Sequence, residues 1–191
     1  MNALVLNGAR DARDFTNVVS EVVASVLEEG GWETVGYTLR EMEIADCPGC
    51  GGCTFKTPGM CVLPDAANGI IAQMARSDLF VLLTPLTFGG FSSQLKKAID
   101  RTMAMCIPVY HFYHGELHHV PRYPRPARLL GIAVTPTYDE ESARVFDLLV
   151  KRTALNYHSP AHASGVLIEG LDAAGVRAEV QCLVSQVEVR Q

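Results

Sequence analysis

No run in this chain approaches the roughly 20 apolar residues of a membrane span. Nor is there a surplus of basic charge: 16 Lys and Arg stand against 21 Asp and Glu, a formal net charge of −5. The first shortage argues against a membrane-embedded helix. The second argues against nucleic acid or an anionic membrane as partner, because a net acidic surface repels both. The opening MNALVLNGAR has no basic leader followed by a cleavage pattern, so a cytoplasmic location is expected. Internal repeats and low-complexity tracts are missing as well. What remains is an ordinary globular composition, 48% hydrophobic and 19% charged, in 191 residues. That length is enough for one domain with a full core, and residues 1–191 are expected to form one.

Strand and helix signatures alternate along the chain. ALVLNG is a short, continuously apolar run closed by glycine, the pattern of a strand buried on both faces. From Thr16, the residues Val18, Val19, Val22, Val23, Val26 and Leu27 recur at helical spacing until EEGG. ETVGYTLR alternates at Val35, Tyr37 and Leu39 as a second strand. Pro64 and Asp65 suit a helix start, with Ile70, Ile71 and Met74 inward. LFVLLTP is a third strand. Ser92 suits the cap of a helix turning Leu95, Ala98, Ile99 and Met103 inward. RLLGIAVTP, EESARVFDLLVKRTALNY, SGVLIEG and the tail from Asp172 then supply strand, helix, strand and helix. Five such units with crossovers of one hand predict an open parallel sheet covered by helices on both faces. Two segments break the rhythm, 40–63 and 107–127, and loops beyond about 12–15 residues in a compact domain usually carry function or lack order.

Ligands of such sheets sit beyond the carboxyl ends of strands where the chain order reverses. The stretches to weigh are therefore NGARDARDFTN, TPLTFGGFSSQ and TPTYDEE. In the first, a helix start with a dipole worth roughly half a charge favours a phosphate. Gly8 permits close backbone approach there, and Arg10, Thr16 and Asn17 can donate; a plain capping role for Thr16 is the competing reading. In the second, Pro85 is followed by small and aromatic residues whose backbone suits a planar ring, with the amides near Phe88 and Gly89 at its edge.

LVLNG with Thr16, followed by LLTPLTFGGFSSQLKKAIDR, resembles the flavodoxin-like NAD(P)H-dependent FMN reductases. The likeness spans roughly the first 105 residues and continues loosely through VTPTYD. It implies a flavodoxin-like three-layer α/β sandwich with a five-stranded parallel sheet of order 2-1-3-4-5. It also implies FMN as cofactor, NAD(P)H as co-substrate, a small flavin- or quinone-type acceptor, and a homodimer or homotetramer. Arg10 and Thr16 fall at phosphate positions, Pro85, Leu86, Thr87, Phe88 and Gly89 along the isoalloxazine, and Thr135 and Tyr138 near its other side. The cofactor carries the chemistry, so no side chain is assigned as catalytic. Two departures stand out. Ala9 replaces the usual phosphate-binding serine, a loss of one hydrogen bond worth about 0.5–1.5 kcal/mol. Thr87 replaces a common tyrosine or tryptophan, which leaves the flavin face more open.

Cysteine is anything but scarce: four of six lie in CPGCGGCTFKTPGMC. Cys47, Cys50, Cys53 and Cys61 read C-x2-C-x2-C-x7-C. Thiolates hold iron–sulfur clusters in sets of four, and three at three-residue steps form a ferredoxin-type run. The seven residues before the fourth give it ample reach at ~3.3 Å each. Gly49, Gly51 and Gly52 remove side chains that would crowd a cluster. Zinc is the competing metal, although structural zinc more often takes two separated pairs. Unliganded or redox-active thiols are the third reading. The iron–sulfur flavoproteins, a subgroup of the family just named, carry a compact motif of this kind between the second strand and the next helix. That resemblance implies a [4Fe–4S] cluster and an electron carrier whose partner is a redox protein such as a ferredoxin. A flavin-binding module without turnover completes the alternatives. Cys106 and Cys182, on helical patterns, read as small core residues.

In 107–127, His111, His114, His118 and His119 lie beside Tyr110, Phe112 and Tyr113. Aromatics of this density favour a flap or an interface over a metal site. Arg122, Arg125 and Arg128 read as a solvated basic turn, and His158 and His162 carry no interpretable pattern.

Overall fold

The computed structural model describes residues 1–189. The chain runs β1 (Asn2–Asn7), α1 (Thr16–Glu29), β2 (Glu33–Thr38), α2 (Gly52–Phe55), α3 (Ala67–Met74), β3 (Leu79–Pro85) and α4 (Ser93–Asp100). It continues through a 3-10 segment (Arg101–Met105) to β4 (Cys106–Tyr113), β5 (Glu116–Pro121), β6 (Arg128–Thr135), α5 (Glu140–Asn156), β7 (His162–Ile168) and α6 (Ala173–Val189). Five strands pair in parallel in the order β2-β1-β3-β6-β7. This is the expected 2-1-3-4-5 arrangement, with β6 and β7 as the fourth and fifth strands. All seven residues of the central β3 are buried, which is why LFVLLTP reads as a continuous apolar run.

Alternate residues of the strands feed two cores. Val5, Val81, Leu83, Ile132 and Val134 pack with Val19, Val23 and Leu27 of α1 and Val176, Val180 and Val187 of α6. On the opposite face, Leu4, Leu6, Phe80, Leu82 and Leu129 meet Ile70 and Met74 of α3, Leu95 and Ala98 of α4, and Phe146 and Val150 of α5. Each fully buried side chain of this size contributes about 1.5–3 kcal/mol through removal from water. Among the described residues, no helix is long and apolar enough to cross a membrane.

Several expectations are corrected. Val18 lies at the margin of the α1 stripe and is exposed. Met103 is exposed because α4 ends at Asp100 and the following 3-10 segment advances about 120° per residue rather than 100°, carrying it off the apolar face. Cys182 is exposed on α6, and Cys106 opens strand β4, so neither is a core residue on a helix. Arg122 is no solvated turn residue: its Nε donates to the Ala104 carbonyl at 3.0 Å and its Nη2 to that of Cys106 at 2.8 Å.

The 107–127 segment is largely an antiparallel hairpin, with Phe112 opposite Leu117 and Tyr110 opposite His119. It docks on the end of α5 through rings. His158, buried and at φ 55°, stacks on His111 at 5.0 Å and lies 4.1 Å from Tyr113, while its Nε2 contacts the His119 carbonyl at 3.0 Å. Burial pushes the His158 imidazole below its ordinary pKa; the His119 carbonyl opposes this, and His111, His118 and His114 reinforce it.

Candidate functional site

β1, β3 and β6 are adjacent and parallel, so the loops leaving their carboxyl ends share one rim, at the point where the order reverses on either side of β1. Gly8 ties the first loop to the second. Its amide donates to the Leu83 carbonyl at 2.8 Å, and its carbonyl accepts from the Ser92 hydroxyl at 2.6 Å. A Cβ here would sit 2.7 Å from Ser92 Oγ, 2.8 Å from Leu95 Cβ and 2.9 Å from the Leu83 oxygen, so only glycine fits. Ser92 also caps α4, as read from the sequence, by accepting from the Leu95 amide at 3.3 Å. The second loop joins the third through the Leu86 amide, which donates to the Val134 carbonyl at 2.7 Å.

Within the first loop, Asp14 gathers the donors. Its carboxylate accepts from the Thr16 hydroxyl at 2.7 Å, the Thr16 and Arg10 amides at 3.1 Å each, and Arg10 Nε at 3.5 Å. Burial would raise its pKa, yet the Thr16 hydroxyl, the Arg10 and Thr16 amides and the Arg10 guanidinium together hold it below the ordinary carboxylate value. Asn17 donates to the carbonyls of Asp11 (3.0 Å), Ala12 (3.4 Å) and Asp14 (2.9 Å), and its Oδ1 accepts from Asn7 and from Arg40. Asn17 is therefore committed to holding the loop, whereas Arg10 extends into solvent. Neither Asp14 nor Arg40 is apparent from the motif, because their contacts arise only when the loop closes.

The second loop folds into a tight turn: the Thr87 amide donates to the Gly90 carbonyl at 3.2 Å and the Gly90 amide to that of Thr87 at 2.8 Å. Phe88 and Gly89 have φ of 50° and 72°, the left-handed pair of a type I′ turn. Gly89 rests on the start of α5, where a Cβ would come 2.7 Å from Val145 Cγ1. Phe88 holds a conformation costly for a bulky side chain and is fully exposed at 103%. Strain combined with an exposed aromatic is a pattern of ligand sites. Pro85 ends β3 buried, and Thr87 is exposed. On the third loop, Thr135 is buried and its hydroxyl donates to the Thr137 carbonyl at 2.9 Å, while Tyr138 is exposed.

These loops fit a flavin in two respects. The first converges donors on an anion, with the Asp14 carboxylate as stand-in, and the second offers a turn whose own pairing leaves the Phe88 and Gly89 amides aside.

The cysteine segment lies between β2 and α3. Cys47, Cys50, Cys53 and Cys61 line one cavity of about 140 Å³ together with Arg101 and Met103. Gly49 and Gly51 adopt φ of 65°, and a Cβ on Gly52 would strike Val62 Cγ1 at 2.5 Å, which explains why three of the intervening residues are glycines. Arg101 is 2% exposed. It forks onto Asp65 at 2.7 and 2.9 Å and donates to the Ala45 carbonyl at 2.7 Å, leaving its Nε without a hydrogen-bond partner. Burial disfavours its charge, but Asp65 and the neighbouring Cys61 outweigh that and hold it above the ordinary value. As they stand, no three His, Cys, Asp or Glu side chains among the described residues are arranged to hold a metal ion. The chemistry of the donors suits a cluster, and their present spacing requires the loop to tighten around one.

The fold and this rim define a flavodoxin-like α/β class. The chain matches the NADPH-dependent FMN reductase family over residues 1–119, and it belongs to that family. It is 33% identical over 108 residues to an iron–sulfur flavoprotein of Methanocaldococcus jannaschii, covering 56% of this chain and 54% of that one. The chain thus aligns with about half the length of the curated relatives it matches. An NADH:FMN oxidoreductase superposes with a TM-score of 0.66 at 12% identity, over 98% of this chain and 88% of the other. The NAD(P)H:quinone oxidoreductase from Methanothermobacter marburgensis gives 0.66 at 14%, over 95% and 98%. At such identities these structures speak for the fold.

Proposed function

We propose that this protein is an FMN-dependent oxidoreductase that draws electrons from reduced nicotinamide and delivers them to a small flavin- or quinone-type acceptor. The observation that carries the proposal is the convergence, at the reversal point of the sheet, of an anion-gathering loop with a strained, exposed turn. FMN, when bound, supplies the two-electron chemistry.

The chain's own residues supply position. Arg10 and Thr16 would take the phosphate, with Asn17 keeping the loop in shape. The turn from Pro85 through Leu86, Thr87, Phe88 and Gly89 would carry the ring edge on its amides, and Thr135 and Tyr138 would close the other side. No general acid is needed, so no catalytic side chain is assigned.

A second reading has its own support. Four cysteines and a buried arginine share one cavity, and the curated relatives are named iron–sulfur flavoproteins. Cys47, Cys50, Cys53 and Cys61 would hold a [4Fe–4S] cluster, which would divide electron pairs into single electrons for a redox partner of the ferredoxin type. The free thiols suit a reducing compartment such as the cytoplasm. A homodimer or homotetramer would cover the exposed Phe88 and Tyr138.

Anaerobic addition of NADPH tests the first reading: rapid loss of flavin absorbance supports it, and an unchanged spectrum contradicts it. Iron and acid-labile sulfide in protein purified without oxygen test the second. About one zinc with no sulfide would end the cluster reading.

A further inference from the structure

We propose that Arg101 sets the reduction potential of the cysteine site: its free Nε–H is held for a sulfur of the bound group, with Cys61 as the sulfur it is placed to meet, and it thereby favours the reduced state. The inference rests on the iron–sulfur reading of the four cysteines. An interior arginine with a purely structural role commits its donors to protein oxygens. Arg101 does not. Its side chain is 0% exposed, yet Nη1 and Nη2 take up Asp65 and the Ala45 carbonyl while Nε has no hydrogen-bond partner. A buried donor left empty costs about 1–3 kcal/mol, and more when it is charged. Arg101 lines the same cavity as Cys47, Cys50, Cys53 and Cys61, and among the described residues lining it Arg101 is the only cation. Asp65, which takes the Nη groups, is not part of that lining, and Cys61 neighbours the guanidinium.

Both ends of the cysteine segment are fixed around that guanidinium. At one end, Ala45 donates its amide to Asp65 at 3.0 Å and its carbonyl accepts from Arg101 at 2.7 Å. At the other, Asn68 of α3 accepts from the Cys61 amide at 2.8 Å and donates to the Cys61 carbonyl at 3.2 Å. Cys61 is accordingly buried, whereas Cys47 and Cys50 are exposed. Cys61 and Arg101 thus form a fixed corner, and the glycine-rich run 47–53 is the part left to close on it. Four thiolates bring more negative charge than an iron–sulfur core neutralises, and each electron taken up adds to the excess. A guanidinium N–H against one of those sulfurs opposes that charge in a buried site, where electrostatic effects are strong. Arg101 keeps its proton throughout, so one electron enters the site with no bond made or broken in the chain.

The test is an anaerobic titration with dithionite, followed by EPR, of protein loaded with FMN, iron and sulfide. Wild type is compared with Arg101→Lys and with the double variant Arg101→Met, Asp65→Asn. Lysine keeps the charge beside Asp65 but carries a methylene at the position of Nε. The double variant removes both charges, so none is stranded, and asparagine retains an acceptor for the Ala45 and Ala67 amides. One-electron reduction is expected to become at least tenfold less favourable in both variants, a fall in potential of at least about 59 mV. Iron and sulfide content and the flavin's own potential should not change. A cluster potential that rises, stays level or falls by less in either variant overturns the proposal. So does an equal shift of the flavin, which would mark a general loosening. A cluster that forms in wild type and fails to form in either variant also overturns it, because Arg101 would then build the site rather than tune it. If wild type itself takes up no iron and sulfide, the iron–sulfur reading fails and the proposal falls with it.

Discussion

Arg101 and Asp65 form an ion pair, 2.7 Å at its nearest, with the arginine side chain fully buried. A guanidinium buried this deeply survives only because Asp65 forks onto it, and removing one partner of such a pair strands a charge. Asp65→Asn is expected to cost about 3–5 kcal/mol in urea denaturation. The pH dependence has a definite sign. Asp65 is pulled below its ordinary value of 3.8 because its bonds to Arg101 and to the Ala45 and Ala67 amides outweigh burial. Its contribution is present above that value and is lost as pH falls through the depressed one. At the rim, Phe88→Asn places the preferred Asn-Gly pair in the turn. It should keep or raise the melting temperature while weakening flavin roughly two- to tenfold through loss of one aromatic contact. Residues of this kind differ in how far the sequence exposes them. Ser92 as a cap and the four cysteines as a group are legible, because their meaning is local. Asp65 and Arg101 stand 36 residues apart, and only the folded chain shows that they meet. Asp14 reads as one acid in a charged loop until Arg10 and Thr16 turn toward it.

Strands and helices were legible where apolar periodicity was long and unbroken, as in β3, α5 and β6. The 3-10 segment after α4 was not, since the change in residues per turn leaves no mark in composition, and Met103 was misplaced for that reason. The β4–β5 hairpin was hidden by its aromatics and histidines, which obscure the alternation of a half-exposed strand pair. Its docking yields a prediction. The folded His158 pKa lies below the ordinary 6.5, so between the two values the unfolded chain binds more protons. Stability is full above about 6.5 and declines as pH falls below it. Melting temperatures from pH 7.5 to 5.5 should drop in wild type, and the slope should shrink in His158→Asn, a residue that tolerates the positive φ. The loop after β1 is tested by Gly8→Ala. The added methyl should cost about 1–3 kcal/mol by overpacking. It should also reduce flavin binding more than that loss explains, since it separates the first loop from the second.

For the whole molecule, order follows from connection rules more than from any motif. Five strands joined by one-handed crossovers allow few sheets, and the reversal beside β1 creates the crevice that its loops then furnish. The cysteine segment belongs to an insertion that leaves the carboxyl end of β2, on the same edge of the sheet as the loop after β1, and its glycines and Arg101 shape a cavity lined by the four cysteines. Two cofactor sites on one chain would make an electron path through the protein, but the flavin rim is the claim on which the rest depends. The most direct measurement is a backbone amide NMR map of the anaerobic protein at saturating riboflavin 5′-phosphate. The account predicts shifts concentrated in residues 8–17, 86–90 and 135–139. Shifts confined to the cysteine segment or the β4–β5 hairpin, or no shifts at all, would contradict it.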